Sequence, residues 1–310
     1  MSTPESLNPA PLTSLGDHSY KKVLEDDYST GKLNLKLKAT TQNSGSANYK
    51  GWLDVTKLQS KQETKFQFLY KNYTLQFATR EDGAKVHVDF GQVAKLTNGN
   101  VSLFANAKLG SSSISNAILR FGGVTKWNAL TNHLRLEYNP SSNGVNGLSR
   151  TFWKNNQWTI VVAEDFQLTG GFGLRRFDFL VGYLQPKYDV FLRHLTSKPT
   201  ESKQFNDLLG GKVILDLVHR RKQQTYGLET EYGLSSGELT TQVGVSTKLN
   251  GVDTKARINL TKKSLGLSGK GRFNEKFNWT LSTELPLDGS MPKKQGVLPL
   301  PVGFTIDTSL

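Results

Sequence analysis

Short segments in which apolar and polar residues alternate follow one another almost from Gly31 to the end of this chain. In the segment KLNLKLK, Leu33, Leu35 and Leu37 fall on one side, and lysines and an asparagine fall on the other. A period of two residues is typical of a β-strand whose two faces meet different surroundings. Segments of about ten residues with this pattern, repeated many times, are typical of a transmembrane β-barrel. The pattern therefore predicts an all-β fold of that class.

The alternation recurs in nineteen segments that are separated by residues favouring turns. We predict one strand in each of the ranges 31–39, 47–56, 62–71, 73–80, 84–91, 99–108, 113–121, 131–138, 146–154, 157–166, 174–184, 187–196, 211–220, 225–234, 239–248, 252–261, 264–273, 276–285 and 297–307. So many strands in one sheet normally close on themselves, because closure removes the exposed edges. One barrel domain over residues 31–310 is therefore predicted, with longer loops at 139–144, 196–210 and 286–297.

Residues 1–30 differ from the rest and are predicted to form an N-terminal segment with a short helix. Leu15, Val23 and Leu24 fall at spacings that give a weak apolar stripe on such a helix. We expect these three side chains to dock the helix against the inner wall. The first residues, MSTPESLNPAPL, have neither a basic n-region nor an apolar h-region, which argues against a secretory signal. We therefore expect insertion from the cytosol into the outer membrane of an organelle.

Composition excludes several other classes of protein. No apolar run approaches the roughly 20 residues of a membrane helix, so a helical membrane protein is excluded. The mean hydropathy of −0.44 does not argue against a barrel, whose strands are apolar on one face only. The absence of cysteine removes disulfides, thiol catalysis and Cys-based metal sites.

The net charge of +13 is spread along the chain, mostly in the polar phase of the strands. If the leucine phase faces lipid, the basic phase lines the lumen. The predicted pore-lining residues are Lys32, Lys36, Lys50, Lys65, Lys85, Arg120, Arg135, Lys255 and Arg257. A water-filled lumen with excess positive charge lowers the barrier for anions and raises it for cations.

No group of residues in the sequence points to catalysis. The five histidines are scattered and no HExxH spacing occurs, so we predict no enzyme activity, no cofactor and no metal site. Nucleic acid is not an expected partner, because aromatic and basic residues fall on opposite phases of the strands rather than on one binding face.

Several segments, in the same order along the chain, are similar to those of the mitochondrial voltage-dependent anion channels. Leu15–Gly16 followed by KLNLKLK resembles the family's LGK helix start and KLDLKTK strand. Tyr73–Phe77 matches its YGLTF strand, Thr241–Lys248 is similar to TRFGIAAK, and Leu287–Gly289 matches the end of LTLSALLDG. The C-terminal residues Gly303 and Ile306 resemble the family's sorting signal for barrel assembly.

The resemblance implies a nineteen-stranded channel of the mitochondrial outer membrane that is voltage-dependent and anion-selective, and passes metabolites and nucleotides. Membrane lipid, permeating anions and nucleotides are the implied partners, together with oligomers or other mitochondrial membrane proteins. The chain departs from the family at Thr79, where some members carry a membrane-facing glutamate, and at 94–96, where the GLK tripeptide is missing. Pro299 and Pro301 sit poorly in the predicted final strand, since they remove backbone donors.

Three other functions fit parts of the pattern. The first is the related protein-import barrel, which also has a helix before its strands. The second is a porin-like structural subunit of a larger mitochondrial membrane assembly, which has lost transport. The third is a soluble basic β-protein that binds nucleic acid, against which the opposite phases of aromatic and basic residues argue.

Overall fold

The computed structural model describes residues 23–24, 32–40, 45–54, 59–70, 73–80, 83–110, 117–196, 210–288 and 302–309. Nineteen strands among these residues form a single hydrogen-bonded sheet. The strands are β1 (Lys32–Thr40), β2 (Gly45–Asp54), β3 (Gln59–Tyr70), β4 (Tyr73–Arg80), β5 (Gly83–Leu96), β6 (Gly99–Gly110), β7 (Ile118–Trp127), β8 (Leu130–Asn139), β9 (Gly144–Lys154), β10 (Trp158–Gln167), β11 (Gly173–Leu184), β12 (Tyr188–Thr196), β13 (Gly211–Arg221), β14 (Gln224–Gly233), β15 (Leu239–Leu249), β16 (Val252–Asn259), β17 (Ser264–Arg272), β18 (Phe277–Pro286) and β19 (Val302–Ser309).

The sheet closes into a barrel through its first and last strands. Each strand pairs antiparallel with the next along the chain, and β1 pairs parallel with β19, with Leu35 opposite Ile306. An odd number of strands requires this exception, because alternating directions leave the first and the last strand pointing the same way. The predicted all-β barrel of nineteen strands is therefore confirmed.

Helical structure in the described residues is confined to Val23 and Leu24. The remainder of the predicted N-terminal helix, including Leu15, lies outside the described residues. Within the part of the chain that the structure describes, no helix is both long and apolar enough to cross a membrane.

The contacts of Val23 and Leu24 identify the inner face of the barrel. Both side chains are buried, with exposures of 1% and 0%. They lie against the wall at Gly227 and Gly244, which face each other across β14 and β15. A side chain packed on the outside of a single sheet would be exposed on its far side, so these two glycines belong to the inner phase.

The register can be followed from these two glycines around the whole sheet. It assigns each remaining strand residue to either the inner or the outer phase. Asn34 belongs to the inner phase and donates a hydrogen bond to the Thr305 hydroxyl of β19 at 3.1 Å. Its neighbours Leu33 and Leu35 belong to the outer phase and are 41% and 40% exposed. The alternation in the sequence is thus the alternation between the two sides of the barrel wall.

Strand β5 continues beyond its predicted end at residue 91 and reaches Leu96. Its pairing with β6 shifts register between Asp89 and Gly91 and again between Gln92 and Ala94. At the first shift Gly91 has a φ of 66°, and its amide donates to the Asp89 carboxylate at 2.8 Å. These irregularities change the alternation without ending the strand, which explains the early boundary in the prediction.

Two strands begin later than predicted. The structure starts β7 at Ile118 and β19 at Val302, where the sequence pattern placed their starts at 113 and 297. Pro299 and Pro301, which the prediction included in this strand, lie outside the described residues.

The turns follow residue types that tolerate a positive φ. Between β15 and β16 the two-residue turn Asn250–Gly251 has φ values of 48° and 82°, which suit the right-handed twist of a tight hairpin. The predicted loop at 139–144 is a tight turn with Asn143 at a φ of 48°. Residues 197–209 of the predicted loop at 196–210, and residues 289–297 of the predicted loop at 286–297, lie outside the described residues.

Candidate functional site: the inner wall of the barrel

The inner phase carries the basic residues that the sequence predicted to line a pore. The register places in it Lys36, Lys50, Lys65, Lys85, Arg120, Arg135, Lys255 and Arg257. Lys32 takes the matching position in β1, opposite Asp54, but its side chain lies outside the described residues.

One sector of the inner wall, formed by β1 to β6, is rich in lysine. We call lysine face the set Lys36, Lys50, Lys65, Lys85 and Lys108. Lys36 lies directly opposite Lys50, and Lys85 lies directly opposite Lys108. The acidic residues among the described inner side chains of these strands are Glu63 and Asp89. Like charges in cross-strand pairs repel each other, so this arrangement has a stability cost that fold formation alone does not explain.

On β12 to β15, by contrast, charges are paired in a buried network. The Arg193 guanidinium donates to both carboxylate oxygens of Asp216, at 2.7 and 2.9 Å, and to Glu229 at 2.7 Å. The Gln242 amide donates to the other oxygen of Glu229 at 2.6 Å. Asp216 is fully buried, at 0% exposure, so its charge is compensated within the wall rather than by the lumen.

Further ion pairs lie on the same strands and on β7 and β8. Arg120 pairs with Glu137 at 2.6 Å and Lys212 with Glu231 at 2.8 Å. Arg220 pairs with Asp189. Among the described inner residues, the largest surplus of positive charge lies on β1 to β6, the strands that carry the lysine face.

An apolar patch on the inner wall was not predicted from the sequence. Val161, Leu180, Phe191 and Val218 point inward from β10 to β13, and each is only 1% exposed. These strands carry apolar residues in both phases, as in Ile160–Ala163, whereas a strand such as β1 alternates strictly. A continuous apolar run indicates a strand that is covered on both faces, and this signal could have located the patch.

The apolar patch leads into the contact that holds Val23 and Leu24. Val218 lies opposite Gly227, and Gly227 opposite Gly244. A Cβ atom built on Gly244 would lie 2.9 Å from Leu24 Cδ2, and one on Gly227 would lie 3.2 Å from Leu24 Cγ. Glycine at both positions permits this close approach. We call this contact the glycine seat, formed by Gly227 and Gly244.

Arg257, the next inner residue along the same row, joins the glycine seat by a polar contact. It lies opposite Gly244, and its Nη1 donates to the backbone carbonyl oxygen of Leu24 at 2.8 Å. Its Nη2 lies 3.8 Å from a Glu284 carboxylate oxygen. A residue predicted only to line the pore therefore also binds the N-terminal segment.

The outer phase is apolar and carries an aromatic row near one end of the barrel. Trp158 contacts Tyr183 with ring centroids 4.8 Å apart, and Tyr183 contacts Tyr188 at 6.4 Å. On the next strands His219 stacks on Tyr226 at 6.4 Å. Aromatic girdles at the edges of an apolar band are typical of barrels that lie in membranes.

Charged residues are nearly absent from the outer phase of the described strands. Glu164 is the acidic residue found there, between Ser149 of β9 and Phe177 of β11. Arg221, the last residue of β13, is the basic one that the register assigns to this phase. Thr79, the position compared in the sequence analysis with a glutamate of some voltage-dependent anion channels, is also in the outer phase.

The remaining predicted features lie on the last strand. Gly303 falls in the inner phase of β19 and Ile306 in the outer phase, opposite Trp279 and Leu35.

Among the described residues, no three His, Cys, Asp or Glu side chains come together in a way that could hold a metal ion.

Searches against protein-family models and against curated proteins found no match to this chain.

Proposed function

We propose that this protein is a passive, anion-preferring channel of the mitochondrial outer membrane, which passes metabolites and nucleotides and is related to the voltage-dependent anion channels. The observation that carries the proposal is the separation of side chains across the closed wall. Leucines and aromatic residues occupy the outer phase, and the lysine face occupies the inner one. A nineteen-stranded barrel with an apolar exterior is consistent with a porin-like channel.

Transport by such a protein needs no catalytic group. The lysine face makes the potential along one side of the lumen positive, which concentrates anions and repels cations. Each charge acts through water and is screened within about 10 Å at 0.1 M salt. Selectivity should therefore be modest, should depend on several lysines together, and should fall as the salt concentration rises.

Planar-bilayer recording of the refolded full chain tests the proposal. The native protein should conduct, with a reversal potential in a salt gradient that indicates anion preference. Reversing three charges of the lysine face, Lys36→Glu, Lys50→Glu and Lys65→Glu, should move the reversal potential toward cation preference. Repeating the recordings at about 1 M salt, where the Debye length is about 3 Å, should shrink the difference between the two proteins.

The matched control reverses three charges in turns rather than in the wall. Lys262, Lys263 and Lys276 are exposed residues between strands, so their change to Glu alters the net charge equally without changing the inner face. This control should keep the native reversal potential. Equal shifts in both triple variants would contradict the proposed role of the lysine face.

The same recording decides between the channel and the structural subunit. A barrel that inserts fully and carries no current would contradict the channel and favour a structural role. The charge network of Arg193, Asp216 and Glu229 fits either function, because its charges are paired within the wall on strands away from the lysine face.

A further inference from the structure

A cavity of about 190 Å³ opens in the inner wall between β8 and β11, away from the lysine face. Its lining includes Arg135, Glu137, Asn146, Asp165 and Arg175. The guanidinium and amide groups supply hydrogen-bond donors, and the carboxylates of Asp165 and Glu137 supply acceptors, of which Glu137 is paired with Arg120. Sites for drug-sized ligands usually measure about 300–1,000 Å³, so this cavity suits a smaller, polar guest.

The arginines that line the cavity have fewer hydrogen-bond and ion-pair partners than other arginines of the inner wall. Arg120 is bound to Glu137 and Arg176 to Asp178. In contrast, the Nε atoms of Arg135 and Arg175 are buried with no hydrogen-bond partner among the described residues.

Arg150, on the strand between them, strengthens this pattern. It is 2% exposed, and both its Nε and its Nη1 lack a partner in the described part of the chain. Its position in β9 lies between His133 of β8 and Ala163 of β10, one inner row away from Arg135 and Asp165. A buried unpartnered guanidinium is costly unless something compensates its charge.

Asp165 is the acidic residue in this group that forms no ion pair among the described residues, and its buried Oδ1 has no hydrogen-bond partner. Arg135, Arg150 and Arg175 form no ion pair among the described residues, although Arg175 donates a hydrogen bond to the Gln167 side chain. A carboxylate beside such arginines would be expected to form an ion pair with one of them, as Asp216 does with Arg193. A guest that carries both negative oxygens and one proton would satisfy the two kinds of group together. Its oxygens would accept from the arginines, and its hydroxyl would donate to Asp165.

We propose that this cavity is a binding site for one inorganic hydrogen phosphate ion, held by Arg135 and Arg175 and recognised through its proton by Asp165. Hydrogen phosphate keeps a proton at neutral pH, whereas sulfate has none to donate. A terminal phosphate monoester also loses most of its second proton, since its pKa is about 6. The site therefore distinguishes free phosphate from sulfate and from phosphorylated metabolites, and it goes beyond the proposed channel function.

Isothermal titration of the full chain in detergent micelles tests this proposal without requiring ion flow. Phosphate should bind saturably with one site per chain, and sulfate and ADP should each bind at least about tenfold more weakly, as expected for the loss of one charge-assisted hydrogen bond. Sulfate binding as tight as phosphate binding would overturn the role of Asp165. ADP that displaces phosphate with equal affinity would assign the site to phosphoryl groups in general and overturn the choice of free phosphate.

Two variants with equal loss of charge locate the site. Arg135→Gln with Arg175→Gln should weaken phosphate binding by at least about tenfold. Lys126→Gln with Lys154→Gln removes two charges from exposed positions at the ends of β7 and β9, and should leave binding unchanged. Equal weakening in both pairs, or no saturable binding by the native chain, would overturn the site.

The conservative variant Asp165→Asn keeps the shape of the side chain and changes its chemistry. Its amide can donate to a fully ionised oxyanion, so phosphate and sulfate should bind with similar affinity. Retained discrimination in this variant would contradict recognition through the proton. Circular dichroism of each variant verifies that the barrel is folded. Because the titration measures binding and not current, its result does not depend on whether the protein conducts ions.

Discussion

Arg257 donates a hydrogen bond of 2.8 Å to the backbone carbonyl oxygen of Leu24, a residue 233 positions earlier in the chain. The side chains of Leu24 and of its neighbour Val23 pack on Gly227 and Gly244. The N-terminal segment is thus fixed to the wall by a close apolar contact and a charged donor at the same place. Both parts can be removed separately by substitution.

The first prediction concerns the glycine seat. In the cysteine-free chain, Val23→Cys provides a single thiol that is buried in the native contact and should react slowly with a hydrophilic maleimide. Gly244→Val should increase the labelling rate by at least about tenfold, because its side chain would occupy the space of Leu24, and Arg257→Gln should have a smaller effect in the same direction.

The control for this prediction is Gly173→Ala, since nothing lies within 4 Å of a Cβ atom at that position. It should leave the labelling rate at the native value. Slow labelling in the Gly244→Val protein would mean that the segment does not depend on the seat.

A second prediction tests the assignment of the two phases on one strand. Leu281 and Thr280 are neighbours in the middle of β18, and the register places them in the outer and the inner phase respectively. Leu281→Arg should lower the free energy of unfolding in lipid vesicles by about 2–4 kcal/mol if it lies near the midplane. Thr280→Arg should change it by no more than about 0.5 kcal/mol. Urea titration followed by tryptophan fluorescence measures both, and equal effects would refute the assignment.

The buried charge network gives a third prediction, about stability. Arg193→Met should destabilise the barrel by about 3–5 kcal/mol, because it leaves Asp216 buried without its partner. Adding Asp216→Leu should recover much of this loss, since no uncompensated charge remains at that position. Lys212→Met, in a pair whose side chains are 40% and 31% exposed, should cost only about 0–1 kcal/mol. A large effect at Lys212 and a small one at Arg193 would contradict the distinction between buried and exposed pairs.

The fourth prediction concerns Glu164, the acidic residue of the outer phase. If this face contacts lipid, Glu164→Leu should insert at least as efficiently as the native chain and should not lower its stability. The matched control is Asp165→Leu, at the next residue of the same strand, which belongs to the inner phase. This substitution removes a carboxylate from the inner wall and should lower the stability of the barrel. Vesicle insertion assayed by protease protection compares the two, and impaired insertion of Glu164→Leu alone would show that the carboxylate has a partner on the outer face.

The number and order of the strands could be predicted from the sequence, because a closed wall with an apolar outer side and a polar inner side repeats one alternation from strand to strand. Lys36, Lys65 and Arg120 could be assigned to the inner phase for the same reason. The boundaries were less predictable where the ladder contains irregularities, as between Asp89 and Gly91.

Alternation determined which residues share a face, but it carries no information about which strands meet or what covers them. The pairing of β1 with β19, the approach of Leu24 to Gly244 and the cavity beside Asp165 join residues that are far apart in sequence or depend on the exact register. Only the closed tertiary structure decides these contacts, because a periodic pattern is local while register, closure and the packing of an inner segment are properties of the whole barrel.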